Sequence, residues 1–264
     1  MESINFMILR RLGNKSKIAK EIQKHFPPHR IYIEPFFGAG GMFFYKPKAK
    51  YNIVNDIDSD VFNLYQVVSN QKNELEKTLY ETPIHQDLIK YWTENKETEP
   101  LKKAVRFLFL SNFILNGCGG TLRSNAVENS KTEIIDKLKV TYDLIFDVRF
   151  FNIDFRKFIH QIHFRSINEN LESFFYCDPP YLFSGDNYSH SFTEQDSIDL
   201  FNSLQETGCN FAMSEFDNEF IMQQAKERKL NIIYIGERQN LKNRRTEILI
   251  TNYQVAKSLF DHCS

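Results

Sequence analysis

Residues 31–56 read IYIEPFFGAGGMFFYKPKAKYNIVND, and their pattern gives the strongest indication of the fold. Ile31-Tyr32-Ile33 has the composition of a buried strand, and the glycine cluster 38–41 follows shortly after it. Residues 42–45 predict the next helix, and the strand predicted over 51–54 ends in Asn55-Asp56. A strand, a tight turn, a helix and a second strand in this order are typical of the opening of a nucleotide-binding α/β unit.

The rest of the chain divides into a helical middle and a second α/β part. The middle shows two amphipathic faces, formed by Val61, Leu64, Tyr65 and Val68 and by Val105, Leu108, Phe109 and Phe113. After residue 150 come strand candidates at 150–153, 174–177, 209–213, 232–235 and 247–251, and helical segments at 194–206 and 217–228. We therefore predict a Rossmann-like α/β domain formed by residues 1–60 and 149–264, with a helical domain of residues 61–148 inserted into it.

Composition excludes several broad classes of protein. Hydrophobic residues make up 42% of the 264 residues and aromatic residues 14%, which is enough for a packed core and excludes a disordered chain. No apolar run approaches the roughly 20 residues of a membrane span, and the N-terminal basic residues follow an apolar stretch, the reverse of a secretory signal. We expect a cytoplasmic protein. The cysteines form no CxxC pair, and His160 and His163 lack partner ligands, so we predict no metal site.

The net charge of −1 hides an uneven distribution along the chain. Residues 102–165 contain 11 Lys and Arg against 6 Asp and Glu, whereas residues 166–220 contain 11 acidic residues and no Lys or Arg. A nucleic-acid binder needs a local basic surface rather than a basic total, so residues 102–165 are a candidate for one. Ordinary solvated faces explain the same charges.

The glycine turn and the acid after the second strand together indicate ligand binding. Glycines at this turn let the backbone approach a ligand closely. A dinucleotide fingerprint would need a third glycine where Phe43 stands, and no GxxxxGK[ST] phosphate loop occurs. Asp56 could accept hydrogen bonds from both hydroxyls of a ribose. Its structural alternative is a cap for the helix that begins at Ser59.

The tetrapeptide Asp178-Pro179-Pro180-Tyr181 follows the apolar run 173–177. A strand-ending turn explains the prolines but not the acid and the aromatic residue beside them. An aryl amine is a poor nucleophile, and the Asp178 carboxylate and the Pro179 carbonyl could accept its two hydrogens and favour its attack on a methyl sulfonium. Tyr181 would stack on the base, and a base in a duplex would have to be flipped out to reach this site.

These motifs resemble the Dam-type adenine-specific DNA methyltransferases. The similar segments, in order, are 13–15 (GNK), 34–40 (EPFFGAG), 55–57 (NDI), 154–155 (DF), 178–181 (DPPY) and 247–253 (EILITNY). The glycine motif precedes the helical insertion and DPPY follows it, which is the family's alpha arrangement. This sequence departs from the family at Arg11, where an aromatic residue is common, and at Ser214-Glu215, where a Ser-Asn pair is common.

The resemblance implies S-adenosylmethionine (AdoMet) as methyl donor and a role for each matching residue. The catalytic residues would be Asp178, Pro179 and Tyr181. The residues that bind the cofactor would be Arg11, Lys15, Glu34, Pro35, Phe36, Gly38, Ala39, Gly40, Asp56, Ile57, Asp154, Phe155 and Asp178. The helical insertion would recognise double-stranded DNA, and the contacts would come from Arg10, Asn112, Asn116, Gly117, Arg123, Asn125 and Tyr188, of which Arg123 could read guanine.

Several alternatives remain open at this point. The same fold could act on the amino group of cytosine, although that reaction is often served by a Ser in place of Asp178. RNA or protein glutamine is a less favoured acceptor, because the long insertion resembles a DNA reader. The protein could also be an inactive DNA-binding protein or an NAD oxidoreductase. We expect a monomer or weak dimer in a bacterial or phage-infected cell, with a cognate restriction endonuclease as a further candidate partner.

Overall fold

The computed structural model describes residues 7–10, 15, 18–114, 131–182, 192–239 and 244–254, and the structural statements below concern these residues. Within them the helices are α1 (Ala19–Gln23), α2 (Ser59–Asn70), α3 (Lys72–Glu81), α4 (Gln86–Glu94), α5 (Pro100–Phe113), α6 (Lys131–Ile145), α7 (Phe155–Gln161), α8 (Ile167–Leu171), α9 (Glu194–Thr207) and α10 (Glu219–Glu227). The strands are β1 (Ile31–Glu34), β2 (Tyr51–Asn55), β3 (Arg149–Phe151), β4 (Ser173–Cys177), β5 (Asn210–Phe216), β6 (Asn231–Gln239) and β7 (Arg244–Thr251). No described helix is both long enough and apolar enough to span a bilayer.

The seven strands form one mixed sheet in the order β3-β2-β1-β4-β5-β7-β6. β2, β1, β4 and β5 run parallel to one another, and β7 runs antiparallel to both β5 and β6. All five residues of β4 are buried, as expected for a central parallel strand covered on both faces. Because parallel strands end at one edge, Glu34, Cys177 and Phe216 close β1, β4 and β5 at the same edge. The antiparallel β7 runs from that edge, where Glu247 lies opposite Phe216.

The chain forms two compact units. The sheet unit comprises residues 18–36, 49–54 and 153–264, and its core contains the fully buried rings of Phe174, Phe175, Tyr176 and Phe211. The helical unit comprises residues 1–17, 37–48 and 55–152, and it contains α2 to α6. Both predicted amphipathic faces of the helical middle are buried in it. All the predicted strands are present, with bounds that differ by a few residues from the sequence prediction.

The helix predicted over residues 42–45 is wrong. These residues form consecutive turns, in which Phe44 N donates to Gly40 O and Lys46 N donates to Met42 O. Gly40 has a φ of 72°, outside the right-handed helical region. Pro47 then prevents the turns from continuing as a helix.

Candidate active site

Gly38 and Asp56 are joined by a short hydrogen bond in the helical unit. Gly38 N donates to Asp56 Oδ2 at 2.6 Å, and Asp58 N donates to Asp56 Oδ1 at 2.8 Å. The helix-cap alternative for Asp56 is wrong, because the cap of α2 is Asp58, whose carboxylate accepts from Asp60 N. Backbone donors therefore fix both oxygens of Asp56 immediately after β2. We call this pair the Gly38–Asp56 clasp.

The two glycines of the turn have different structural reasons to be glycine. A Cβ on Gly40 would lie 2.5 Å from the ring of Phe44 and 2.8 Å from that of Phe37, so close packing excludes any side chain there. A Cβ on Gly38 would meet no atom within 4 Å, although its φ of 53° also disfavours a side chain. Gly38 therefore leaves open space beside the Asp56 carboxylate, as a site that admits a ligand against the backbone requires.

Neighbouring groups of the helical unit hold the clasp in place. Tyr65 Oη donates to Ala39 O at 3.2 Å. Asn152 Nδ2 donates to the carbonyl oxygens of Asp56 at 2.7 Å and of Ile57 at 3.0 Å. Asn152 is not predictable as a member of this site, because nothing in its local sequence indicates a contact with residues nearly one hundred positions away. Lys15 is buried in the same unit.

In the sheet unit, three phenylalanine rings cluster around the start of α7. The ring centroid of Phe36 lies 5.4 Å from that of Phe155 and 5.9 Å from that of Phe192, and the centroids of Phe155 and Phe192 are 5.9 Å apart. Asp154 caps α7 by accepting from Arg156 N at 2.9 Å. The cluster offers flat apolar surface next to a carboxylate, which suits an aromatic ligand. Phe192 is a member that the sequence analysis missed.

Arg156 links α7 to the first turns of α9. Its guanidinium donates to Asp154, Asp196 and Asp199, and it also lies 4.4 Å from the ring centroid of Phe155. Burial alone would raise the pKa of Asp196, but hydrogen bonds from Arg156 and Thr193 lower it below its usual value. Hydrogen bonds from Gln195 and Arg156 lower the pKa of Asp199 in the same way. These ion pairs fix the helix that carries Phe155.

The DPPY segment leaves β4 at the carboxyl edge of the sheet unit. Asp178 is half-buried, Pro179 is buried and Tyr181 is 9% exposed. Tyr181 Oη donates to Glu247, and its ring meets that of Phe216 edge-on at 4.6 Å between centroids. Burial raises the pKa of Tyr181 well above its usual value, and the carboxylates of Asp178 and Glu247 raise it further. Tyr181 is therefore a neutral hydrogen-bond donor at physiological pH.

Two further carboxylates of the sheet unit lie at this edge. Glu34, the last residue of β1, is buried and accepts a hydrogen bond from Tyr32 Oη at 2.8 Å. Glu215 is buried and accepts from Leu182 N at 3.2 Å and from Phe216 N at 2.8 Å. Glu215, which departs from the family pattern, accepts a hydrogen bond from the backbone directly after DPPY.

The predicted DNA contacts are only partly within the described residues. Arg10 is exposed. Asn112 is buried, and its amide donates to Ile8 O at 2.8 Å and to Leu108 O at 2.9 Å, so it holds the N-terminal segment against α5. The other predicted residues lie outside the described residues, namely Asn116, Gly117, Arg123, Asn125 and Tyr188, as does the predicted cofactor residue Arg11.

Comparison with known proteins gives matches of several kinds. The DNA adenine methylases of Escherichia coli strain K12 and Serratia marcescens are 32% and 33% identical to this chain over 126 residues. These alignments cover 45% of this chain and 45% and 46% of the relatives, so the match spans less than half the length of those proteins. The modification methylase StsI of Streptococcus sanguinis is 23% identical over 92% of this chain and 42% of its own length. A solved putative methyltransferase from Streptococcus mutans, in complex with SAH, gives a TM-score of 0.42 at 9% identity, covering 90% of this chain and 97% of that one.

A further match is to a family. Residues 12–248 match the family described as D12 class N6 adenine-specific DNA methyltransferase. This range contains the Gly38–Asp56 clasp, the helices of the insertion and the DPPY segment, and it confirms the resemblance drawn from the motifs. The chain belongs to the D12 class of N6 adenine-specific DNA methyltransferases.

Proposed function

We propose that this protein transfers a methyl group from AdoMet to the exocyclic N6 amino group of a flipped adenine at a specific site in double-stranded DNA. The observation that carries the proposal is the DPPY segment at the carboxyl edge of the sheet, with Asp178 accessible and Tyr181 held by Glu247. Family membership supports adenine in DNA as the acceptor. The relatives named DNA adenine methylase support the same activity.

The residues of DPPY would prepare the target amine for attack. The carboxylate of Asp178 and the carbonyl of Pro179 are acceptors for the two amine hydrogens, and two consecutive prolines fix the direction of that carbonyl. Acceptors fixed in advance need little reorganisation during the reaction. Asp178 need not keep the proton, because the methylated ammonium is acidic enough to lose it to water. A base inside a duplex cannot reach such acceptors, so the target adenine would be flipped out and stacked on Tyr181.

The described residues fit AdoMet as the methyl donor. When bound, AdoMet supplies an electrophilic methyl group on a sulfonium. Gly38 leaves open space beside the fixed carboxylate of Asp56, which would accept hydrogen bonds from the ribose hydroxyls. Asp154 and the backbone of Phe155 would bind the adenine ring, with the rings of Phe36 and Phe192 nearby in the sheet unit. The remaining proposed cofactor residues are Arg11, Lys15, Glu34, Pro35, Ala39, Gly40 and Ile57.

The absence of basic residues from residues 166–220 suits a cationic donor. Residues 166–220 contain eleven carboxylates, including Asp178 of DPPY, and no Lys or Arg. Glu34, Glu215 and Glu247 are buried at the same edge of the sheet unit. A negative potential there would favour a sulfonium and disfavour phosphates. DNA phosphates would therefore be contacted elsewhere.

We propose that residues 61–148 form the DNA-recognition domain, whereas residues 1–60 and 149–264 form the catalytic domain. Arg10, Asn116, Gly117, Arg123, Asn125 and Tyr188 would contact DNA. We assign Asn112 a supporting role, since its amide already binds Ile8 and Leu108. The name of StsI as a modification methylase makes a cognate restriction endonuclease a candidate partner. We further propose that the protein acts in the cytoplasm as a monomer or weak dimer.

Single-molecule sequencing of unmethylated DNA incubated with the protein and AdoMet tests this function. We expect N6-methyladenine confined to one short motif. Methylated cytosine would overturn the choice of adenine and favour the N4 cytosine alternative. Unmodified DNA together with a DNA gel shift would instead favour an inactive DNA-binding protein.

A further inference from the structure

Tyr181 is held at two points by one cross-strand pair of the sheet unit. Phe216 of β5 and Glu247 of β7 lie directly opposite each other in the antiparallel ladder. The ring of Phe216 meets the tyrosine ring at an interplanar angle of 84°, and the carboxylate of Glu247 accepts the tyrosine hydroxyl. We call Phe216 and Glu247 the Tyr181 clamp. Contacts at the ring and at the hydroxyl together restrict rotation about both side-chain torsions of Tyr181.

Burying the Glu247 carboxylate costs folding free energy, so a role in folding alone does not explain this residue. Glu247 has no exposed surface, and a buried carboxylate is tolerated only when hydrogen bonds compensate for the loss of water. Apolar residues of similar volume usually stabilise a core as well or better. The next three residues of β7, Ile248, Leu249 and Ile250, are fully buried and apolar, so this part of the strand is otherwise packed with apolar side chains. A directional contact with the tyrosine hydroxyl therefore accounts for Glu247 better than core packing does.

The neighbouring Glu215 fixes the backbone on which the clamp acts. Its two oxygens accept from Leu182 N, the residue after Tyr181, and from Phe216 N, a member of the clamp. Glu215 therefore connects the exit of DPPY to β5 while Glu247 holds the side chain. Together the two carboxylates fix both the main chain and the ring of Tyr181.

We propose that Glu247 is a positioning residue for methyl transfer, which holds the ring of Tyr181 at the angle at which its face receives the flipped base. This proposal rests on the proposed function. Glu247 acts through Tyr181 and need not touch the base or the cofactor. Its loss should impair capture of the flipped base and the chemical step, and it should leave AdoMet binding intact.

Three variants, each compared with the active wild-type protein, test the proposal. Glu247→Ala removes the acceptor, Glu247→Gln keeps a carbonyl acceptor for the tyrosine hydroxyl, and Tyr181→Phe removes the donor. Tyr253→Phe is the matched control, because it removes a tyrosine hydroxyl of the same unit that donates a hydrogen bond away from DPPY. Tyr253 Oη donates to the backbone oxygen of His25 at 2.9 Å. Each variant is measured for kcat, for the KM of DNA, for AdoMet affinity and for the fluorescence of 2-aminopurine placed at the target adenine.

We expect Glu247→Ala to lower kcat about tenfold to a hundredfold and to reduce the 2-aminopurine signal, with AdoMet affinity within about twofold. Glu247→Gln should rescue most of both losses. Tyr253→Phe should lower the melting temperature without changing kcat or the fluorescence. Equal behaviour of Glu247→Ala and Tyr253→Phe in kcat and fluorescence would overturn the proposal and leave Glu247 a purely structural residue.

A double-mutant cycle decides the matter if Glu247→Ala does not fold. Tyr181→Phe, Glu247→Met and the double variant keep about the volume of the site and remove the donor, the acceptor or both, and losses in kcat that are less than additive support the coupling. Additive losses overturn it. Failure of the proposed function would be seen separately, in a wild-type protein that methylates no DNA. That result would be obtained before any variant is made.

Discussion

The Gly38–Asp56 clasp and the Tyr181 clamp hold functional groups in two different ways. In the clasp, backbone N–H groups close in sequence to the carboxylate fix it, and Gly38 and Asp56 are only 18 positions apart. In the clamp, side chains 35 and 66 positions away fix a tyrosine. In the clasp, backbone N–H groups position the Asp56 carboxylate, which has open space beside it for a ligand. In the clamp, the side chains of Phe216 and Glu247 fix both the position and the orientation of the Tyr181 ring.

Loss of the Asp178 carboxylate should have the largest effect on catalysis. We expect Asp178→Ala to lower methyl transfer by about a thousandfold or more, because a pre-organised acceptor of the amine is lost. AdoMet affinity should stay within about tenfold, since Asp178 addresses the base more than the cofactor. Radiolabel transfer and calorimetry measure the two quantities, with the exposed Glu227→Ala on α10 as control. Retained activity would remove Asp178 from the reaction.

Gly38 of the clasp and Gly40 of the same turn should differ in their effects on folding and on AdoMet binding. Gly40→Ala should lower the free energy of unfolding by about 2–4 kcal/mol, because its Cβ clashes with two rings at a positive φ. Gly38→Ala should cost only about 1–2 kcal/mol for the same backbone strain, yet weaken AdoMet binding more strongly. Urea denaturation and calorimetry compare the two variants. Equal stability losses in the two variants, or unchanged AdoMet binding in Gly38→Ala, would contradict the proposal that AdoMet occupies the open space beside Gly38.

Asp56 and Asp58 lie two positions apart, and we expect the first to affect AdoMet binding and the second to affect stability. Asp56→Ala should weaken AdoMet binding about tenfold to a hundredfold with a small change in kcat at saturation, because charge-assisted hydrogen bonds to the ribose are lost. Asp58→Ala removes the cap of α2 and should cost about 1 kcal/mol of stability with AdoMet affinity unchanged. If the two variants bound AdoMet equally well, the clasp would be a structural turn alone.

The smallest effect concerns the ion pairs that fix the helix of Phe155. The pKa values of Asp196 and Asp199 are lowered in the folded protein, so their contribution to stability is present above the unfolded value of 3.8 and is lost as pH falls through the lower folded values. These groups are partly exposed, so we expect Arg156→Met to destabilise the protein at pH 7 by about 1 kcal/mol or less. The difference from wild type in urea titrations should shrink near pH 3. A difference that grows at low pH would contradict this account.

The sequence predicted the elements whose signals are local. The strand of residues 31–33, the all-buried β4 and the acid after β2 each follow from composition and spacing within a few residues. The turn after Gly40 was missed because residues 42–45 have helix-compatible composition, and only the positive φ of Gly40 and Pro47 together exclude a helix.

The contacts that the sequence did not predict join residues far apart in the chain. Asn152 binds the carbonyls of Asp56 and Ile57, and Glu247 binds Tyr181. Neither contact has a sequence signature, because a single Asn or Glu has many uses and the strand order alone brings these residues to their partners. The sequence therefore predicts groups that would touch the ligands and does not predict the groups that hold them.

Mass spectrometry of nucleosides from DNA treated with methyl-deuterated AdoMet tests whether this protein methylates N6 of adenine in DNA. We predict a deuterated methyl group on N6 of deoxyadenosine with the wild-type protein and none with Asp178→Ala. Label on deoxycytidine, or a complete absence of label from DNA with the folded wild-type protein, would contradict the account.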